Sequence, residues 1–420
     1  MNATTLFIVG LFLLLACAVL VGEAVGRIGL LPLVGQLAVG IVFGPTLLGP
    51  ALGLASLSAG FQDLQILATF FVLMTAGISV TRAQFRATGR AALLLGTTLF
   101  LVPFGVGILV VHLLYPSLPT LTALFVSLTI SITALPVLAV MLREFGLLES
   151  RLGAYLLSGA FVNELAAVTT FAILLRFRSG GDGLWWDIGL SLLAVGIFLG
   201  SVFAVDLLLR GLRELHAWGR VADWFQRTMR SQQAGFAVLM VAALGAALYS
   251  QVLGLTYLVG AFCAGLLVTP ESVGPNAYRS VRQGIDMITW GLFIPLFFAL
   301  VGLQMNLRLL GASPTELAAF TGLVAFALAA KFYLGRIFTL GLGRPPREST
   351  AAGFLLSSRG AVELAMAVTL LSLGVFTVRL FTIVAALGLV TTIISPMAAR
   401  PFLRGERAAP TAPPADSSPR

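Results

Sequence analysis

The chain has 420 residues, 58% of them hydrophobic and 10% charged, with a formal net charge of +9. A soluble domain is roughly 45–50% apolar and about 25% charged, so a soluble globular enzyme, a disordered chain and a nucleic-acid-binding domain are excluded. What remains is an all-α polytopic membrane protein whose arginines gather in loops on one side of the bilayer.

Crossing ~30 Å of hydrocarbon takes about 20 helical residues. Thirteen segments qualify, at about 3–22, 29–48, 60–79, 91–115, 119–142, 152–176, 188–209, 233–250, 252–269, 287–306, 315–341, 349–374 and 380–402. The 233–269 stretch is the least clearly divided, with only Gln251 at its middle. The first run has no basic residue before it and Glu23 behind it, and is read as a retained span rather than a cleaved leader. Cys17 and Cys263 lie inside apolar runs, where neither a disulfide framework nor a metal centre is expected.

Arginine counting sets the orientation. With the N-terminus outside, the inner loops carry Arg27, then Arg82, Arg86 and Arg90, then Arg143 and Arg151, then five arginines from Arg210 to Arg230. Arg279, Arg282, Arg344 and Arg347 follow on the same side, whereas the outer loops carry Arg176, Arg178, Arg308 and Arg379. The odd span count then places the C-terminus in the cytoplasm. The loop from Arg210 to Arg230 also holds Trp218, Trp224 and Phe225, and reads as an amphipathic segment on the inner surface. The expected organisation is one transmembrane domain over 1–403. Its halves, about 3–176 and 233–402, are joined by a linker span at about 188–209 and the surface segment 210–232. A Pro-, Ala- and Ser-rich tail over 404–420 is expected to be disordered.

Spans 5 and 12 occupy matching places in the two halves, and both are interrupted by polar residues. Span 5 reads SLTISITALPVLAVML, with Ser131, Thr133 and Pro136; span 12 reads GFLLSSRGAVELAMAV, with Ser357, Ser358, Arg359, Gly360 and Glu363. Paired broken helices in inverted halves point to a transporter's binding site. Carbonyls freed by Pro136 or Gly360 survive at mid-membrane where they line a cavity or an ion. For span 5 a simple proline kink fits equally well.

Two carboxylates stand inside spans. Glu164 lies at the centre of span 6, in LSGAFVNELAAVTTF, where a charge costs at least ~2.5–3.5 kcal/mol. A carboxylate held there can take either a proton or a cation, and no basic residue on its own span offers a structural ion pair. Asn163 beside it offers an amide for a cation or a backbone. Glu363 follows Arg359 by four residues, so the two face one another on a continuous helix and neutralise each other. The chain's one lysine against 25 arginines, Lys331, sits inside span 11. Lysine can release a proton where arginine cannot, so Lys331 is either a charge-alternating group or a neutraliser. Asp206 is read as interfacial; His112 and His216 have no metal-ligand company. A phosphate loop, a nucleophile elbow and a zinc-protease motif are all missing, which argues against an ATP-driven pump and leaves no cofactor expected.

These residues together resemble the monovalent cation:proton antiporter superfamily, in the branch of Nap-type Na+/H+ antiporters and Kef-type K+/H+ systems. The resemblance runs through LPLVGQLAVGIVFGPTLLG (32–49), LATFFVLMTAGISVTRAQFR (67–86), SITALPVLAVML (131–142), LTYLVGAFCAGLLV (255–268), FIPLFFALVGLQMNL (293–307), AAKFYLGR (329–336) and SSRGAVELAMA (357–367). It implies thirteen helices in inverted repeats, with two broken crossing helices and an elevator-like core moving against a dimerisation domain. It further implies a homodimer in a bacterial-type plasma (inner) membrane. Asn163–Glu164 occupies the family's Asp-Asp or Asn-Asp pair, Glu164 is the carboxylate that exchanges cation for proton, and Ser131 and Thr133 fall in the unwound ion-binding stretch. Lys331 matches the lysine that pairs with the first Asp of electrogenic members.

The Asn-Glu pair departs from the usual second aspartate. A neutral Asn163 points toward one-for-one exchange, while Lys331 lacks its usual partner and Glu164 is a candidate for it. No regulatory nucleotide domain of the Kef type follows the last span, which weighs against gated K+ efflux. The expected function is therefore Na+/H+ antiport, with Glu164 as the Na+ ligand. K+/H+ antiport and a cation-coupled organic-anion symporter are the alternatives, together with a non-transporting protein that keeps the fold.

Overall fold

The computed structural model of the protein describes residues 3–28, 30–49, 58–78, 82–148, 150–178, 184–214, 234–253, 255, 257–269, 275–310 and 313–403. Most of the expected surface segment, from 215, and the tail 404–420 lie outside the described residues. The helices are α1 (Ala3–Arg27), α2 (Pro32–Phe43), α3 (Ser58–Ile78), α4 (Arg82–Leu114), α5 (Thr120–Ser131), α6 (Leu135–Glu144), α7 (Arg151–Arg178) and α8 (Leu184–Glu214). They continue with α9 (Ala234–Val252), α10 (Tyr257–Leu267), α11, α12 (Pro314–Gly341), α13 (Pro346–Leu356), α14 (Ala361–Ser372) and α15 (Val378–Leu403). Helix α11 joins Pro275–Ile288 to Ile294–Gln304 through a π turn at Thr289–Phe293.

Each expected span finds a helix, and spans 5 and 12 each find two. Among the described residues, seven helical stretches are long and apolar enough to cross a membrane, one of them running through α13 and α14, and six shorter apolar helices bring the set to thirteen. Local chemistry sets several boundaries. Ser313 caps α12 by accepting from the Glu316 backbone N–H at 3.3 Å, in a Ser-Pro-Thr-Glu start. Gly89 (φ 46, ψ −130) bends the beginning of α4 in a conformation that glycine alone adopts easily, so the apolar span starts where the sequence placed it.

The helices pack as two bundles. One contains α1, α2, α3, α9, α10 and α11; the other contains α4 to α7 and α12 to α15, and contacts within each far outweigh contacts between them. The first bundle is drawn tight by two glycine crossings. A Cβ at Gly40 would run into the Ala299 and Gly302 backbone, and one at Gly77 into the backbone of Phe262 and Gly265. These crossings are related to each other. Leu33-Val34-Gly35, Gly40 and Pro45 recur 225 residues later as Leu258-Val259-Gly260, Gly265 and Pro270, and the same offset carries Gly77 to Gly302. Seven spans separate the equivalents, so each runs opposite to its counterpart and the repeat is inverted. The offset also carries the first helix break, at Ile132–Ala134, onto the second, at Ser357–Gly360.

Candidate functional site

Helix α5 stops at Ser131, Ile132 is extended (φ −77, ψ 141), and α6 starts at Leu135. Pro136 therefore lies one step beyond the break, as the second residue of α6. Proline costs no intrahelical hydrogen bond in a first turn, so the chain breaks before it rather than at it.

The last carbonyls of α5 lack intrahelical donors, and three side chains from distant helices supply them. Arg359 donates from Nη1 to the Thr129 carbonyl at 2.7 Å and from Nη2 to the Ile130 carbonyl. The Ser131 carbonyl accepts from Lys331 Nζ and, at 2.9 Å, from Asn163 Nδ2. Both intramembrane cations thus sit at the negative end of the α5 dipole. The Asn163 amide also accepts from the Thr133 N–H at 2.8 Å, spanning the break like a staple. The Ser131 hydroxyl turns back onto the Leu128 carbonyl.

Glu164, one residue on and about 100° further round α7, reaches the other side of the break. Its Oε2 accepts from the Leu135 N–H at 3.2 Å, at the positive start of α6. The residue is completely buried, and its Oε1 has no hydrogen-bond partner among the described residues.

The two breaks meet. Thr133 donates from Oγ1 to the carbonyl of Leu356, the last residue of α13, at 3.2 Å, while accepting from Lys331 Nζ at 2.7 Å. The Ala134 N–H points at the Ser358 carbonyl, 3.4 Å away, and a Cβ on Gly360 would press on Val137 and Ala134. Beyond the second break, Glu363 lies in the first turn of α14, with Oε1 3.4 Å from Arg359 Nη1; neither carboxylate oxygen has a hydrogen-bond donor among the described residues. Thr392 of α15 donates to the Arg359 carbonyl at 2.7 Å and holds the break in place.

Ser131, Thr133, Asn163, Glu164, Lys331, Arg359, Gly360 and Glu363 thus converge on one crossing, although they come from four spans. Lys331 turns to Ser131 and Thr133, and the α5 carbonyls expected to face an ion face side-chain donors instead. Sequence reasoning missed the docking of Arg359 onto α5, 230 residues away, and the Thr392 brace, 33 residues away, since nothing local marks either partner. Asp206 is buried within α8, and His112 places Nδ1 2.9 Å from the Ile108 carbonyl on its own helix. His216 lies outside the described residues. No group of three or more metal-ligating side chains occurs among the described residues.

Comparison with known proteins gives the arrangement a context. The family model described as sodium/hydrogen exchanger, transmembrane, matches residues 10–405. The Na(+)/H(+) antiporter NhaS4 of Synechocystis sp. is 28% identical over 408 residues, covering 94% of this chain and 96% of that protein. The Na(+)/H(+)-K(+) antiporter GerN of Bacillus cereus is 24% identical, over 91% of this chain and 93% of that one. The solved structure of the sodium proton antiporter MjNhaP1 from Methanocaldococcus jannaschii superposes with a TM-score of 0.71 at 14% identity, covering 96% of this chain and 100% of that one, so the fold is shared.

Proposed function

The chain belongs to the sodium/hydrogen exchanger family, and from that premise we propose that it exchanges Na+ for H+, with Glu164 as the one group that both occupy in turn. The observation that carries this reading is the state of that carboxylate. One oxygen is held by the Leu135 N–H, and the other is buried at the crossing without a donor. A bare carboxylate oxygen there is satisfied by a proton or by a cation, and one excludes the other.

Charge sets the stoichiometry. Lys331 and Arg359 oppose Glu164 and Glu363, so the four groups carry no formal net charge together. Asn163 is neutral and is spent on the break. One carboxylate then carries one Na+ outward or one H+ inward, and the exchange is one-for-one and electroneutral. The positive ends of Lys331 and Arg359 keep the α5 carbonyls satisfied while the site is empty, so the broken helix persists through the cycle without an ion to hold it.

Alternating access follows from the two bundles. The bundle bearing Glu164 slides against the glycine-tightened one as an elevator, and the tightened bundle forms the homodimer. The protein sits in a plasma membrane with its N-terminus outside and its C-terminus in the cytoplasm. K+ in place of Na+ is the second reading, supported by the name of the Bacillus cereus relative. Purified protein in proteoliposomes tests both: an imposed Na+ gradient should drive counter-movement of protons, insensitive to membrane potential. A response to K+ and none to Na+ would replace the ion.

A further inference from the structure

The two bundles touch sparsely, yet polar bonds join them at one face of the molecule, the one where α1 begins. Arg176, near the end of α7, donates from Nη1 to the Leu253 carbonyl in the α9–α10 turn at 3.1 Å. The backbone N–H of Asn306, just past the end of α11, donates to Thr382 Oγ1 on α15 at 3.0 Å. The Tyr257 hydroxyl, at the start of α10, lies near the hydroxyls of Thr369 on α14 and Thr69 on α3, which themselves donate to the Ala365 and Gln65 carbonyls. Arg176–Leu253, Asn306–Thr382 and Tyr257–Thr369 each pair one residue of the Glu164-bearing bundle with one of the glycine-tightened bundle, while Thr69 shares the bundle of Tyr257.

We propose that these contacts form a latch that holds the two bundles together at the N-terminal face and shuts Glu164 off from it. They involve three different helices of the mobile bundle, α7, α14 and α15, so a sliding movement that opens this face must break them together. They are also of a kind that can break and re-form. Two use backbone groups at helix ends, which water can serve once they separate. The Arg176 bond is charge-assisted and the strongest of the three. The latch therefore biases the resting equilibrium toward the state open to the opposite face, and a loaded Glu164 must outweigh it. The proposal relies on the exchange reading for what the movement accomplishes, not for its existence.

The test uses the full chain with Cys17→Ala and Cys263→Ala, carrying Asn306→Cys and Thr382→Cys. Oxidation should cross-link the pair, reduce Na+-driven proton flux to background, and release it again on reduction. Adding Arg176→Met, which keeps the stem and removes the donor, should slow cross-linking by about tenfold as the latched state loses population. A pair that does not cross-link overturns the latch, as does a fully cross-linked protein that still exchanges at its reduced rate. Where the reduced protein and the wild type both lack flux, the exchange reading fails on its own. The cross-linking rate then decides: slower with Arg176→Met supports the latch, and an unchanged rate overturns it.

Discussion

The guanidinium of Arg359 donates to the Thr129 carbonyl at 2.7 Å, so the charged residue of one broken span closes the helix end of the other. It is also the ion-pair partner of Glu363. Removing it strips donors from two carbonyls and leaves a buried carboxylate alone. Breaking a buried pair from one side costs about 3–5 kcal/mol. Arg359→Gln should therefore lower the thermal midpoint of the detergent-solubilised protein markedly, and the double variant Arg359→Gln with Glu363→Gln should recover part of the loss.

Lys331 holds Ser131 and Thr133 and is bonded to no carboxylate in the described hydrogen bonds. Lys331→Met keeps the length and loses the donors, leaving acceptors short at a cost of about 1–3 kcal/mol. The expected result is a less stable protein that still exchanges, read by thermal unfolding and by flux in parallel. Complete loss of flux in a folded Lys331→Met protein would give the lysine a direct part in transport.

Much of this was legible in the sequence, for physical reasons. Thirteen spans stand out because lipid demands long runs of uniform polarity, and both breaks were marked by Ser, Thr, Pro or Gly where a span should be apolar. Ser131 and Thr133 bracket the first break, whereas Pro136, which the sequence also offers as an interruption, sits inside the next helix. The partners of the freed carbonyls were not legible. Lys331 and Arg359 meet α5 across about 200 residues of chain or more, and no periodicity encodes such a meeting. The matching breaks point to an inverted repeat in the sequence, and the constant offset of its glycines takes its meaning from the contacts of Gly40 with Gly302 and of Gly77 with Gly265.

Asn163 uses both ends of its amide, toward Ser131 and Thr133. An aspartate would turn an oxygen toward the Ser131 carbonyl and repel it unless protonated. Asn163→Asp should therefore lose exchange by about tenfold or more without becoming electrogenic. A potential-sensitive dye reads this directly, and a robust Na+-dependent potential in Asn163→Asp would contradict the staple.

Close backbone approach at the glycine crossings leaves no room for a side chain. Gly302→Val should prevent stable packing of α2 on α11, and Gly265→Val should do the same for α3 on α10. By contrast Gly245→Ala, where a Cβ meets nothing, should be neutral or slightly stabilising. Size-exclusion profiles after extraction in mild detergent would show the difference.

The central claim is that one carboxylate, Glu164, holds cation and proton in competition. Glu164→Gln preserves shape and the acceptor for the Leu135 N–H but can neither bind a proton nor balance a cation. The decisive measurement is Na+-driven proton flux in proteoliposomes of wild type, Glu164→Gln and Glu164→Asp, with folding checked by thermal unfolding. The account predicts no flux from a well-folded Glu164→Gln and reduced flux with altered Na+ dependence from Glu164→Asp; wild-type flux from Glu164→Gln would contradict it.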